Sequence, residues 1–400
     1  MRPLILREWT PSSPEELDFE QIAFLRERFD CQVEPAPGGL FTVRPRNKVG
    51  AAIVGGRAVQ VRPKLAIDRV LFLLAYAACG RLPDDASMAA STELTAGVGA
   101  LFATLCERAT RSGVLAGYRD VSDLLHTVRG RIDMAEQVRR ARPAIPVAVR
   151  FQEFDESIPE NRLLLAGLEV LRRAPIHVPS VLNRLQRLRA LFAAVAPATG
   201  TDVEIRWTRI NQHYRPAVEM ARLLVAGQSI DLMSGGNTTP ALVLDMGEVF
   251  ETFVRVALRE SLRLTDDEFP SDDAAPRTTL DDRGQLVLKP DLTLIRDGAR
   301  RFIGEVKYKV DPGSAKSSDR YQLLAYTVAT GLTEATLIYA DGPPQPTTHL
   351  IPGVNARLHL HRLDLAQPPT GVLDQIARIG EHIEACAARD SAKPGFPAKP

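Results

Sequence analysis

Cysteine is scarce in this chain. Cys31, Cys79, Cys106 and Cys386 are scattered over 400 residues and form no Cys-x-x-Cys pair, so neither a disulfide framework nor a zinc site is expected. They read as reduced thiols of a cytoplasmic protein. Long apolar runs are also missing. The longest, Val70 to Cys79, is half the length a membrane helix needs and reads as a buried helix. No charged-then-apolar leader opens the sequence, so a protein without a membrane partner is expected. There is no Gly-x-x-x-x-Gly-Lys-Ser/Thr phosphate loop, no Ser/His/Asp or Cys/His pattern for nucleophilic catalysis, and no internal repeat. Excess charge is lacking too: the net charge is +1, whereas a protein that grips DNA unaided is usually strongly basic.

What is present is the composition of an ordinary globular protein, 45% hydrophobic and 25% charged. Four hundred residues exceed one compact core, so several domains are expected. The pattern predicts an α+β multidomain chain. Residues 1–66 alternate apolar and polar over short runs punctuated by Gly and Pro, a small β-rich module with one helix near 15–29. Residues 67–235 read as a helical middle region, with helices near 69–79, 96–112, 132–141, 160–173, 179–195 and 215–226. The turn-formers of Asp231 to Pro240 place a boundary there. Residues 236–388 run helix, hairpin, helix, strand, strand, helix, an α/β pattern. Residues 389–400 read as a disordered tail.

The chemistry concentrates in residues 285–309. Apolar runs flank Asp297-Gly298, predicting strand, tight turn, strand. With a three-residue loop, Asp297 to Ala299, antiparallel pairing sets Asp291 across from Glu305; a two-residue loop moves the pairing by one position. Glu305 and Lys307 share a strand face. Two carboxylates one strand spacing apart make a hard oxygen site suited to Mg²⁺. The Val306 carbonyl is a further candidate ligand, and Lys307 could orient or deprotonate an attacking water and stabilise a phosphorane-like transition state. Gly304 keeps the opposite face free of bulk. The plainer alternative is a Pro-Asp turn followed by a surface Glu-x-Lys ion pair.

Two helices flank the hairpin. Downstream, Ser318 to Val328 has Asp319 as an expected N-cap, and Gln322 and Tyr326 lie one turn apart on one face. They could support the site, or Tyr326 could be a core aromatic. Upstream, Asp245 to Leu262 is amphipathic through Phe250, Val254 and Leu258. Glu248 or Glu251 could supply a third carboxylate, or both could be solvated. Arginines cluster at Arg129, Arg131, Arg139, Arg140, Arg142 and Arg150, and again at Arg172, Arg173, Arg184, Arg187 and Arg189. They offer either a phosphate-facing stripe or ordinary exposed helix faces. His359 and His361 share a strand face, but no cysteine or third carboxylate is spaced in sequence to complete a metal site.

Helix with Phe250-Glu251, hairpin with Pro290-Asp291 and Glu305-x-Lys307, then helix with Gln322-xxx-Tyr326: this order resembles the PD-(D/E)xK nucleases, and within them the McrC family. Arg62-Pro63-Lys64-Leu65, Val128-Arg-Gly130-Arg131-Ile132-Asp133 and Phe154-Asp155-Glu156 through Asn161-Arg162-Leu163-Leu164 are similar to further motifs of that family. The resemblance spans roughly residues 40–365. It implies a C-terminal PD-(D/E)xK restriction-endonuclease-like domain with Asp291, Glu305 and the Val306 carbonyl as ligands of Mg²⁺. Lys307 becomes the catalytic base or transition-state stabiliser, Glu251 an auxiliary acid, and Gln322 and Tyr326 a supporting layer. Glu stands where some relatives have Asp as the second acid.

The resemblance further implies an endonuclease subunit of a modification-dependent, 5-methylcytosine restriction system. Its partners would be double-stranded DNA and a hexameric McrB-like AAA+ GTPase, docked through the middle region and stimulated by it. Two other readings stay open: an adaptor that activates the motor without cutting, and a stand-alone RecB-like repair exonuclease.

Overall fold

A computed structural model of the chain describes residues 2–81, 93–140, 145–198, 204–227, 239–271, 274–310, 317–342 and 345–391. The chain starts with β1 (Leu4–Arg7), α1 (Phe19–Glu27), the hairpin β2 (Gln32–Ala36) and β3 (Leu40–Arg44), then β4 (Lys48–Val54), β5 (Arg57–Arg62) and α2 (Ile67–Cys79). Helix α1 starts at a capping box in which Asp18 accepts from the Gln21 N–H. Helix α2 is the apolar run, buried from Val70 to Ala78.

Next come α3 (Leu94–Ala109), β6 (Gly117–Leu125), β7 (Arg131–Ile132), α4 (Met134–Arg139), β8 (Val147–Asp155), α5 (Pro159–Arg173), α6 (Pro179–Leu191) and α7 (Arg215–Ala226). The expected helices of this stretch are present, but so is a three-stranded sheet in the order β6-β8-β7, so the region is not wholly helical. Gly130 (φ +73°) enters it where a Cβ would meet the Arg150 carbonyl at 2.4 Å. Asp133 then caps α4 and pairs with Arg150 at 2.6 Å. That local geometry accounts for the Gly-Arg-Ile-Asp motif.

The last stretch holds β9 (Ala241–Asp245), α8 (Met246–Ser261), β10 (Thr278–Thr279), β11 (Val287–Leu288), β12 (Leu292–Arg296), β13 (Ala299–Val310), α9 (Ser317–Thr330), β14 (Glu334–Asp341), β15 (Thr347–Ile351), β16 (Ala356–Arg362) and α10 (Pro369–Ser391). Contacts divide the chain into two units, one of residues 1–97 with 243–400 and the other of residues 98–242. The boundaries after 66 and 235 are therefore not where the contacts part. Residues 1–66 are not a module of their own, because β9 completes their sheet in the order β1-β5-β4-β9. Asn47 also bonds the α8 cap, Asp245, at 2.7 Å. Phe72 and Tyr76 of α2 pack edge-on against Phe253 of α8. The loop expected at 231–240 lies mostly outside the described residues, as does most of the tail. Arg389, expected in the tail, belongs to α10.

The C-terminal sheet has the order β12-β13-β14-β16-β15. Strands β13, β14 and β16 run parallel, with β12 and β15 antiparallel at the edges. Ile303, Leu337, Leu358 and Leu360 form one apolar face under Leu323 and Tyr326 of α9. Helices α8 and α10 pack on the other face of β13. Edge strands that are antiparallel and a parallel, doubly covered centre give a mixed α/β layer arrangement.

Candidate active site

Local turn chemistry builds the site. Asp297 (φ +53°) and Gly298 (φ +69°) form a two-residue turn with both residues left-handed, the geometry a tight hairpin prefers. The loop is thus two residues, not three. A bulge between Leu294 and Ile295 then shifts the register by one, so that Leu292 pairs with Gly304. Extending that register puts Asp291 opposite Glu305, the pairing the sequence suggested, by a different route. Gly304 is required by close approach: a Cβ there would lie 3.0 Å from the Thr336 carbonyl.

Paired strand ends after Leu292, and Asp291 uses the freed edge. Its Oδ2 accepts from the Val306 N–H at 2.7 Å. In an extended strand the N–H and C=O of one residue point to the same edge, so the Val306 carbonyl faces Asp291. Glu305 is 1% exposed. One of its oxygens is ion-paired with Lys307 Nζ, while the other, Oε2, is buried without a hydrogen-bond partner. A buried carboxylate oxygen left unmatched is costly and marks capacity for another ligand. Burial raises the Glu305 pKa, with Lys307 opposing. Burial works against the Lys307 charge as well, but Glu305, Asp291 and Asp319 outweigh it and hold its pKa above the ordinary value. Lys307 is therefore a cation at neutral pH, fitted to orient water or stabilise developing negative charge rather than to take a proton in its resting state.

Helix α9 roofs the trio. The Gln322 amide donates to the Tyr326 hydroxyl at 2.6 Å, which donates to the Lys289 carbonyl at 2.9 Å. Burial and the neighbouring Glu305 push the Tyr326 pKa up, so it stays a neutral donor. Tyr326 is thus both core, at 1% exposure, and a prop for the strand carrying Asp291. Asp319 does not cap α9. It lies inside the first turn, accepts from the Tyr339 hydroxyl at 3.1 Å and pairs with Lys309 Nζ at 2.6 Å. Long-range partners on β13 and β14 take its carboxylate away from the cap, and nothing in the local sequence signals them.

The upstream acids separate. Glu248 is exposed in the first turn of α8, facing Asp245, Arg255 and Lys48. Glu251 is half-buried, next to Phe250, whose ring meets Tyr308 of β13 at 5.8 Å. A second group went unread in the sequence. Behind Lys307, the Tyr308 hydroxyl donates to buried Glu8 at 3.4 Å, the Lys64 N–H donates to the same oxygen at 2.9 Å, and Lys64 Nζ stands 4.4 Å over the Tyr308 ring. Burial pushes Glu8 up to about 7. This gives the Pro63-Lys64 turn a structural reason. Six of the eleven clustered arginines are ion-paired: Arg129 with Glu153, Arg139 with Glu136, Arg150 with Asp133, Arg172 and Arg189 with Glu169, and Arg184 with Glu107. Arg142 lies outside the described residues. No helix among the described residues is long and apolar enough to cross a membrane.

Comparison with solved structures finds two assemblies from Thermococcus gammatolerans. One is a refined half-complex from a tetradecameric assembly of McrB AAA+ hexamers with bound McrC, 17% identical, covering 95% of this chain and 100% of that chain at a TM-score of 0.50. The other is the McrBC complex seen by cryo-electron microscopy, 18% identical, covering 65% of this chain and 88% of that chain at a TM-score of 0.36. At such identities only the first likeness bears on this chain, and it bears on the fold alone. No curated protein matches the sequence. The family model described as McrBC 5-methylcytosine restriction system component matches residues 43–340. A match over that much of the sequence makes the chain a member of the McrBC 5-methylcytosine restriction system component family.

Proposed function

We propose that the chain is the DNA-cutting subunit of a modification-dependent restriction complex, its residues 236–388 a PD-(D/E)xK nuclease domain using Mg²⁺. The observation that carries this reading is the convergence of Asp291, Glu305 and Lys307 around a buried, unmatched Glu305 Oε2. The donor set fits a hard divalent ion: two carboxylates, with the Val306 carbonyl directed to the same edge. When bound, Mg²⁺ neutralises the phosphate and lowers the pKa of a ligated water. Asp291 and Glu305 would hold the ion, and Lys307 would orient the attacking water and stabilise charge on the phosphate oxygens. Tyr326 and Gln322 fix the Lys289–Asp291 segment ahead of β12, and Glu251 is the auxiliary acid.

The family membership supports 5-methylcytosine-containing DNA as substrate. The McrB AAA+ hexamers with bound McrC in the related assembly support a motor partner, a GTPase whose turnover this chain would stimulate. A near-neutral net charge suits a nuclease delivered to DNA by that motor. The test is cleavage of methylated plasmid by the chain with its AAA+ partner. Cutting should require Mg²⁺ and GTP and stop with EDTA. Efficient digestion of DNA ends by the chain alone with Mg²⁺ and no GTP would replace this reading with the repair-exonuclease one. Undiminished GTPase stimulation with no cutting would leave only the adaptor role.

A further inference from the structure

The opposite face of the C-terminal sheet carries a second set of metal-capable side chains. On α10, His382 and Cys386 are four residues apart and share a helix face. They meet His359 of β16. One donor atom from each of His359, His382 and Cys386 lies within 4.8 Å of the other two. The Cys386 Sγ is 3.3 Å from His382 Nε2, and the His359 and His382 rings are 4.5 Å apart. His361 adds a third imidazole, its ring 4.6 Å from His382 and its Nε2 buried without a partner.

We propose that His359, His382 and Cys386 bind a transition-metal ion of the Zn²⁺ class, clamping α10 onto β16. Two imidazoles and a thiolate are borderline-soft ligands that suit Zn²⁺ and not Mg²⁺, so the ion differs in kind from that of the nuclease site. Tetrahedral bonds of about 2.0–2.3 Å place donors about 3.3–3.8 Å apart, so a cluster whose donors lie within 4.8 Å closes with small side-chain movements. The outer layer is already in place. His359 is held at both ring nitrogens, by Glu334 at Nε2 (3.2 Å) and by Thr348 Oγ1 at Nδ1 (3.0 Å). The metal bond replaces one of these contacts and the other stays to orient the ring. Arg389 grips Glu334 while donating to Cys386 Sγ at 3.3 Å. The retained partner, Glu334 or Thr348, fixes the ring and tautomer of the ligating histidine, and the Arg389 charge favours the thiolate. Burial pushes the Cys386 thiol up to about 12. The thiol therefore arrives protonated: one S–H bond breaks, one metal–sulfur bond forms, and the proton leaves to solvent. The sequence alone does not show this set, because a strand and a helix supply it from separate elements, β16 ending at Arg362 and α10 starting at Pro369.

Cobalt titration of the full-length chain tests it. One Co²⁺ per chain should give a thiolate-to-cobalt charge-transfer band that Zn²⁺ displaces. The band should vanish in C386S and weaken at least tenfold in affinity in H382Q, both with unchanged circular dichroism. X-ray absorption of the zinc-loaded wild-type chain needs no variant and should show two nitrogens and one sulfur. Absence of the band, its survival in C386S, or an all-oxygen zinc shell overturns the proposal; the last would report binding at Asp291 and Glu305 instead.

Discussion

Glu305 and Glu334 sit on adjacent strands, β13 and β14, each 1% exposed, yet they face opposite sides of one sheet and live opposite lives. Glu334 is saturated: Arg389, Arg357 and His359 all bond it. Although burial opposes its charge, Arg389 and its neighbours hold its carboxyl down at about 2. Glu305 is pushed up by burial against the pull of Lys307 and, after it, Tyr326, and keeps Oε2 without a matched hydrogen bond. A carboxylate whose bonding is complete anchors structure. One buried with capacity to spare is held for something that arrives later, at a standing cost to stability.

Breaking the two glutamates should therefore give opposite results. The largest effect expected is on cutting. D291N, E305Q or K307M in the assembled complex should each lower DNA cleavage at least about a hundredfold, the scale of losing one preorganised electrostatic partner. E334Q should leave cleavage within a few-fold when the protein is folded, measured on methylated plasmid with Mg²⁺ and GTP.

Stability should change the other way. A fall from 4.5 to about 2 for Glu334 corresponds to about 3 kcal/mol. Its folded pKa is depressed, so that stability is complete above about pH 5 and is lost as pH falls toward 2. E334Q should lower the urea midpoint at pH 7 and flatten the acid limb of the stability curve. Glu305 has the reverse sign. Its raised pKa favours the folded state only at low pH and is lost as pH rises through the raised value. In EDTA at pH 7, E305Q should be as stable as the parent or more so. A loss like that of E334Q would show that Glu305 is an ordinary anchor.

How much of this could be read from residues depends on where partners lie in the chain. Asp297-Gly298 announced the hairpin, and period-two alternation placed Glu305 and Lys307 together, because both are local. The bulge between Leu294 and Ile295, which leaves Arg301 of β13 unpaired in the register, has no local signal, and by compensating for the shorter loop it keeps Asp291 and Glu305 in register. The β6 strand escapes notice because its faces are polar and half-exposed, as at Arg119, Asp120, Ser122 and Asp123, so no apolar period marks it, whereas β8 does alternate at Val147, Val149 and Phe151. Asp319, Glu8 with Lys64 and Tyr308, and the α10 histidine–cysteine face depend on contacts across tens to hundreds of residues. Each looked like a cap, a turn or an exposed helix.

The smallest expected effect concerns the roof of the site. Y326F removes the hydrogen bond to the Lys289 carbonyl and strands the Gln322 amide, a loss of about 1 kcal/mol. Cleavage should fall only a few-fold. A loss as large as that of E305Q would promote Tyr326 from prop to direct participant.

The most direct test is to follow DNA cleavage and partner GTP hydrolysis together for E305Q and its parent in otherwise identical complexes. The account expects cutting to be abolished while GTP hydrolysis stays at the parental rate. Cutting that persists in E305Q would contradict the claim that a divalent ion between Asp291 and Glu305 breaks the phosphodiester bond.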